Sequence, residues 1–403
     1  MSVNTLNFEQ VSTVLTSIVQ QATGQAVLTP TDTGSFVSVA QIALRADRDS
    51  VMNAISNILA RTIFSIRPYS AKLTGLEMDT FRWGGMMRKL SIADTDWEDD
   101  EAYAYPVFYD ANQTPPDGEG GSVDRWVIKK PNVLQTNFYG QSVYSDHMTI
   151  TEDQLETAFT GPEQLGSFLS LLMTNLSNRL EMSNEALRRG LVCNAIAALY
   201  DENNTDRVIH LLSEYNTLTG LSLDAQTVYE PDNFAGFTKW AYSRVAEITD
   251  LFTANSTMFQ TVISGKPILR HTPYEFQRVY LYSPFQRQTE ARVLADTYHD
   301  NYLRYADVET IPYWQSIGTR NEVNVTPSYT DTSGTLVTPG SSVDVENVFG
   351  LIFDRDAMGM TILDRRVLST PVNESGLYRN IWVHGKQRVV FDNTEKMALL
   401  LLD

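Results

Sequence analysis

From Thr160 to Tyr200 the chain carries one long helical pattern, and its length constrains the fold more than any other feature. Thr160 and Glu163 have the spacing of a capping box, and Pro162 falls in the first turn, where its missing N–H costs nothing. Beyond that start, Leu165, Phe168, Leu169, Leu172, Leu176, Leu180, Leu187 and Leu191 recur at steps of three and four, laying an apolar stripe along a helix. No Gly or Pro interrupts the pattern between Ser167 and Arg189. At about 1.5 Å per residue the rod is roughly 55–60 Å long, against about 11–12 residues for an ordinary helix. Such a rod overshoots one compact core, so it predicts an extended, plate-like subunit of the kind that tiles a surface.

Composition narrows the classes. The chain has 403 residues, 42% hydrophobic and 10% aromatic, enough for more than one real core. A formal charge of −18 argues against wrapping nucleic acid through phosphate contacts, which needs basic patches. Cys193 is the single cysteine, so an intramolecular disulfide is impossible and a Cys-rich metal site is excluded. Its neighbours Leu191, Val192 and Ile196 predict a buried, inert thiol. Met1 to Gln25 has no Lys or Arg and no continuous apolar core, so no signal peptide is expected. The longest apolar run, Met397 to Leu402, is too short to cross a bilayer. A soluble protein made in the cytosol is therefore expected, with no membrane partner.

Along the chain the organisation falls into blocks. In residues 1–66, Val11, Leu15, Ile18 and Val19 share a helical face. A Gly/Thr/Ser/Pro stretch from Thr23 to Ser35 follows, then a second helix is expected over Asp47 to Phe64, and together these read as an arm. Residues 67–130 change character. Between Asp94 and Glu119 there are nine acidic residues and no basic ones, interleaved with Trp97, Tyr103, Tyr105, Phe108 and Tyr109. Tyr103 to Tyr109 and Val123 to Ile128 are strand-like around a Pro/Gly-rich tip, so the block reads as a long hairpin. An isolated hairpin is marginal in water, so the block is read as a loop that lies across an adjacent copy of the chain, with a solvated acidic loop as the alternative. Gly84 to Lys89 reads as a bend and strand presenting two cations. Gln135 to Thr151 alternates polar and apolar residues.

After the long helix, residues 201–230 look like a polar connector. Asp232 is expected to cap a helix through Phe237, Trp240, Val245, Ile248 and Phe252. A compact α/β block is expected over about 270–370, with strands at Arg278 to Ser283, Asn347 to Phe353 and Met358 to Leu363. The Thr/Ser/Gly/Pro-rich stretch Thr326 to Val343 reads as a surface loop. Two strands, Leu377 to Gly385 and Arg388 to Phe391, then a docked Met397 to Leu402, close the chain.

The search for catalytic chemistry is largely negative. No dinucleotide fingerprint, Walker loop, His-Glu-x-x-His or Gly-x-Ser-x-Gly motif is present, and the five histidines are scattered singly. Asp354-Arg355-Asp356, at a strand end, could hold a metal, but a turn with an internal Asp–Arg pair is the simpler reading. Asp364-Arg365-Arg366 reads as a salt-bridge site between subunits. No catalytic residue, cofactor or metal ligand is assigned, and no enzyme activity is expected. An acidic metal-dependent hydrolase using Asp354 and Asp356 is the distant alternative.

The junction from Pro131-Asn-Val-Leu-Gln-Thr-Asn-Phe-Tyr-Gly140 through Asp153-Gln-Leu-Glu-Thr-Ala-Phe159 into the long helix resembles that of phi-29-like podovirus capsid proteins. So does the ending at Gly376-Leu-Tyr-Arg-Asn380 followed by alternating aromatic and polar positions. The block order resembles the tailed-bacteriophage major capsid proteins with the Hong Kong 97-type (HK97-like) fold. That resemblance implies an α+β fold with an N-terminal arm (1–66), an extended loop and its stem (67–158), a peripheral domain with a spine helix (159–230), an axial domain (231–371) and peripheral return strands (372–403). It implies a head protein that assembles with itself as pentamers and hexamers into an icosahedral shell. Such a shell encloses double-stranded DNA without sequence-specific binding, is built with a separate scaffolding protein and a portal protein, and is assembled in the host bacterial cytoplasm. An encapsulin-like compartment is the alternative with the same fold. On this reading Trp97, Tyr103, Tyr105 and Phe108 are interface anchors. Asp99, Asp100 and Glu101 would meet Arg179, Arg188 and Arg189 of a neighbour.

Overall fold

The computed structural model describes residues 8–24, 29–45, 54, 72–78, 86–93, 132–139, 142–151, 154, 161–265, 268–292 and 307–403. In chain order the helices are α1 (Phe8–Thr23), α2 (Thr33–Arg45), α3 (Pro162–Glu202), α4 (Leu211–Thr219), α5 (Pro231–Thr253) and α6 (Ser283–Arg292). The strands are β1 (Met86–Ala93), β2 (Asn132–Tyr139), β3 (Ser142–Thr151), β4 (Val208–His210), β5 (Gln277–Tyr282), β6 (Asp307–Ile311) and β7 (Val323–Val325). They continue with β8 (Tyr329–Thr330), β9 (Leu336–Val337), β10 (Val343–Val345), β11 (Val348–Asp354), β12 (Met358–Ser369), β13 (Tyr378–Phe391) and β14 (Met397–Leu401).

The long helix α3 spans 41 residues, about 60 Å at the α-helical rise. Its start differs from the expected capping box. The cap residue is Gly161, with extended backbone and no side chain to offer, while Pro162 occupies the first turn as expected. Thr160 lies outside the described residues. At the other end Asn203 adopts a left-handed conformation (φ 49°) that asparagine tolerates, and its N–H returns to the Tyr200 carbonyl at 3.2 Å.

Two sheets share this helix. Its first half lies on the three-stranded antiparallel sheet β12-β13-β3, where Leu176 and Leu180 pack with Val383 and the partly buried Tyr144, Met148 and Val367. Further along, residues 191–199 are buried almost all round against the five-stranded sheet β4-β14-β11-β5-β6 and the strands beside it. That sheet has a core on each face, and the two-residue period of a strand sorts its side chains between them. Tyr280, Leu351, Phe353, Met397, Leu399 and Leu401 face α3 and its Ile196, together with Trp314. Val279, Leu281, Ile352, Ala398 and Leu400 face the other way, onto Phe234, Phe237, Val245 and Phe252 of α5 and Phe285 of α6. The all-apolar runs at β11 and β14 are what a strand covered on both faces requires.

Several expectations need correction. Helix α2 begins inside the stretch expected to be irregular. Asp32 and Ser35 cap it reciprocally, Ser35 N–H donating to Asp32 Oδ1 at 2.7 Å and Asp32 N–H to Ser35 Oγ at 3.1 Å. The helix expected over Asp47 to Phe64 falls outside the described residues apart from Ala54. Glu230, not Asp232, is the cap residue of α5. Residues 201–230 are more than a connector, because β4 pairs in parallel with β14 and Leu211 and Leu212 of α4 are buried. The return segment 372–403 divides between the sheets: β13 is one continuous strand in the three-stranded sheet, whereas β14 lies inside the five-stranded one. Likewise β12, grouped by sequence with 231–371, pairs along its whole length with β13.

Thr326 to Val343 is not a free loop. It holds the pair β8–β9 nested inside β7–β10, docked on α3. Asn194 donates to the Ser328 carbonyl at 3.1 Å and accepts from its N–H at 2.8 Å, and the Tyr329 hydroxyl donates to Asp201 at 2.8 Å. Cys193 is buried as expected, its thiol against the Trp314 carbonyl at 3.5 Å and pushed up to about 12 by burial.

The two-faced core predicts a sharp contrast between leucines. Leu399→Ala, inside the central sheet, should lower the stability measured by urea unfolding by about 2–5 kcal/mol. Leu171→Ala, on the outer side of α3 and 67% exposed, should change it by no more than about 0.5 kcal/mol.

Candidate functional site

The anchors chosen from sequence, Trp97, Asp99, Asp100, Glu101, Tyr103, Tyr105 and Phe108, lie outside the described residues. The structure does describe what brackets them. Strands β1 and β2 form an antiparallel ribbon whose register runs from Met86 opposite Tyr139 to Ala93 opposite Asn132. Residues 94–131 depart from that last pair.

The three spine-helix arginines are used within the chain. Arg188 is 1% exposed, and its guanidinium binds Glu77 and the Lys72 carbonyl, fastening the segment 72–78 to α3. Arg189 is buried against Glu185 at 2.9 Å and the carbonyls of Tyr313 and Trp314, with its guanidinium over the Tyr313 ring. A buried guanidinium must find such partners or carry a large desolvation cost, so neither can be offered to a neighbour. This corrects the expected pairing of Arg188 and Arg189 with the acidic loop. Arg179 is bound by Asp146 but stays 51% exposed.

The ribbon has two unlike faces. Alternation puts Lys89 and Ser91 of β1 with Leu134 and Thr136 of β2 on the partly buried side. Leu90, Ile92 and Val133 lie on the other side, each more than half exposed. Lys89, expected to face solvent or an acidic neighbour, meets acids of its own chain. Its ammonium donates to Asp392 Oδ2 at 2.6 Å and to Glu395. Arg270 closes the group by binding Glu395, with weaker bonds to Thr394 at 3.2 Å and Ser91 at 3.3 Å.

Asp392 and Glu395 belong to a five-residue turn, Asp392 to Lys396, in which every residue is buried and polar. Asn393 donates to Thr261 Oγ1 at 3.0 Å and to the Thr330 carbonyl at 2.6 Å. Thr261 in turn donates to Glu202 at the end of α3. The wholly buried Arg207 donates to both Glu202 and Thr261 at 2.6 Å, and burial pulls its guanidinium down to about 10 against the opposing pull of Glu202. Lys396 donates to the Phe252 and Ala254 carbonyls and to Ser256, satisfying the open end of α5. Burial lowers its ammonium to about 8. Burial alone would raise the Asp392 carboxyl, but the Lys89 ammonium and the Thr394 hydroxyl and N–H outweigh it and hold it below the ordinary value. Sequence reading missed this turn, because Asp-Asn-Thr-Glu-Lys between two apolar strands looks like any solvated turn.

Elsewhere the geometry suits structure better than chemistry. The buried Asp354 carboxylate accepts from the Thr272 hydroxyl at 2.7 Å and the Asp356 N–H at 2.8 Å, closing the turn between β11 and β12. Arg355 reaches Asp356 at 3.7 Å and covers the Phe276 ring. Asp364, expected at a contact between subunits, binds Arg366 of its own strand at 2.8 Å. On the outer face of the three-stranded sheet His147 stacks on Trp382, with ring centres 4.5 Å apart, and His384 follows at 6.0 Å. Among the described residues no three His, Cys, Asp or Glu side chains are gathered as metal ligands would be, and no helix is long and apolar enough to cross a membrane.

The model of the Phi29-like phage major capsid protein family matches residues 15–400, so the chain belongs to that family and is a major capsid protein of a tailed bacteriophage. No curated protein matches it. Among solved structures, the capsid structure of Staphylococcus phage Andhra superposes with a TM-score of 0.51 at 10% identity, over 84% of this chain and 87% of that one. The structure of head fiber and inner core protein gp22 of bacteriophage P68 gives 0.49 at 10% identity, over 83% and 85%. The asymmetric unit of the bacteriophage PhiM1 mature capsid gives 0.43 at 7%, over 84% and 88%. The Andhra likeness places the chain in the α+β capsid fold, the HK97-like class expected from the sequence.

The depressed Asp392 carboxyl has a signed consequence. A carboxyl held below its unfolded value contributes stability above about pH 4 and loses it as pH falls through the folded value. The urea midpoint of the wild type should therefore fall more steeply between pH 5 and pH 3 than that of Asp392→Asn. Parallel curves would show that Asp392 is not the group responsible.

Proposed function

We propose that this major capsid protein builds an icosahedral phage head from pentamers and hexamers of itself, enclosing double-stranded DNA without reading its sequence. Assembly takes place in the bacterial cytoplasm around a separate scaffolding protein and a portal, and the mature protein resides in the virion. The chain acts through its contacts and not through catalysis. The observation that carries this reading is the family match across nearly the whole chain. It is supported by a 41-residue helix serving two sheets at once, a construction that makes a subunit long and not round.

Within that reading the first half of α3 and the three-stranded sheet make the peripheral part. The five-stranded sheet with α4, α5 and α6 makes the axial part around the symmetry axes. Residues 1–66 are the arm, and residues 67–158 the extended loop and its stem, whose strand β3 runs into the peripheral sheet. Heterologous contacts that close into rings fit such a subunit. The loop's Trp97, Tyr103, Tyr105 and Phe108 are its anchors, and Asp99, Asp100 and Glu101 steer it to cations on a neighbour, of which Arg179 remains available. A charge of −18 suits a shell whose inner surface must not trap DNA during filling.

Negative-stain electron microscopy of the purified chain, expressed alone and with the scaffolding protein, tests the reading. Closed shells of uniform size are expected, and nuclease-protected DNA in virions separates a head from a compartment loaded with protein cargo. A persistent monomer under both conditions would sink the proposal. Replacing Asp99, Asp100 and Glu101 together with Asn, Asn and Gln should cut the assembled fraction severalfold at low salt; an unchanged yield would remove the acids from the contact.

A further inference from the structure

We propose that the β1–β2 ribbon is a releasable strap, fastened to the body by the ionic clasp of Lys89 with Asp392 and Glu395. Opening the clasp frees the ribbon without unfolding the sheets behind it. The inference goes beyond shell formation, because it concerns the isolated chain and holds or fails whether or not shells form.

The first argument is topological. The ribbon is a sheet of two strands with no third strand beside it among the described residues, and a two-stranded ribbon alone is marginal in water. Its order must come from what its inner face touches. The second argument is the inverted distribution of side chains. Ribbons held permanently turn apolar side chains inward, yet here Lys89, Ser91 and Thr136 are turned to the body while Leu90, Ile92 and Val133 are turned out. Two apolar side chains share that inner face, the partly buried Phe138 and Leu134, the latter seated in a shallow recess with Gln260, Ile263 and Ile268. Two partly buried apolar side chains and an ion cluster hold less firmly than the continuous cores on either side of the central sheet.

The third argument concerns what is left when Lys89 departs. Glu395 keeps Arg270, and Asp392 keeps the Thr394 hydroxyl at 2.6 Å and the Thr394 N–H at 3.0 Å. The rest of the turn is tied elsewhere: Asn393 to Thr261 and Thr330, and Lys396 to the end of α5. The body side of the clasp thus stays folded and largely satisfied with the ribbon gone. Segment 72–78, just before the ribbon, differs. It is locked by the Met78 N–H to the Met360 carbonyl at 2.9 Å, by Leu73 N–H to Glu309 at 2.7 Å and by the buried Arg188. Met78 is thus held to the body by contacts that do not involve Lys89, whereas the ribbon, fastened through its inner face, is the part that can swing.

Hydrogen exchange read by mass spectrometry on the purified full chain tests the strap. Lys89→Met should speed exchange of the amides in 86–93 and 132–139 by about tenfold or more while leaving β11 and β14 unchanged. Lys89→Arg should restore most of the protection. Unchanged ribbon exchange in Lys89→Met would overturn the clasp, as would equal acceleration of ribbon and central sheet, which would make Lys89 part of one cooperative core. Should the variant fail to fold, the wild type decides. In rising sub-denaturing urea the ribbon amides should open with a much weaker urea dependence than β14, and a single merged opening would overturn the proposal.

Discussion

The two sheets of the body are joined through a turn that has no apolar side chain. Asp392 to Lys396 joins β13 to β14, and those two strands belong to different sheets. The turn is therefore one covalent link between the two halves of the body, and α3 is another. Arg207, Thr261 and Asn393 connect those links, because Glu202 at the end of the helix and Asn393 in the turn share the Thr261 hydroxyl. A helix end, a turn and a nested hairpin are tied together there by a few hydrogen bonds. The ribbon and the end of α5 are fastened to the same five residues.

Burial of charge on this scale does not supply net stability. Removing a carboxylate or a guanidinium from water costs several kcal/mol, and a good partner returns roughly that much. Side chains such as Leu351, Leu399 and Phe353, fully buried in the central sheet, contribute about 1.5–3 kcal/mol apiece by transfer alone. The apolar layers on both faces of that sheet accordingly hold the protein folded. The polar junction decides which fold it is, because a partner misplaced by a few ångströms would leave a buried charge unmatched. Stability and geometry are carried by different residues, which lets the ribbon be attached by ions without weakening the core.

The same division explains what could be read from the sequence. Features set by periodicity were legible: the apolar stripe of α3, the face of α1 with Val11, Leu15, Ile18 and Val19, and the strands β5, β11 and β14. Features set by long-range pairing were not. The three residues of β4 have no pattern of their own and become a strand because β14 offers them an edge. Helix α2 begins within a stretch rich in glycine, serine and threonine, where composition favoured a loop and local capping by Asp32 prevailed. The arginines show the limit most sharply. Arg179, Arg188 and Arg189 look alike on a helix of mixed polarity, yet two are enclosed by segments more than a hundred residues away in sequence.

Counting charges therefore says less about the surface than placing them. Arg188, Arg189, Arg207 and Lys396 are formally part of the balance that yields −18, but none reaches solvent to any useful extent. Their partners differ in kind. Glu185 and Glu202 cancel two of them inside the protein, whereas Lys396 is bound by two carbonyls and a hydroxyl at a helix C-terminus, with the buried Asp354 carboxylate acting on it through space. The same interior holds Asp354, Asp392 and Glu395, so cations and carboxylates are withdrawn from the surface together. For a chain whose work is done through its surfaces, the charge that counts is the part of −18 left outside that buried junction.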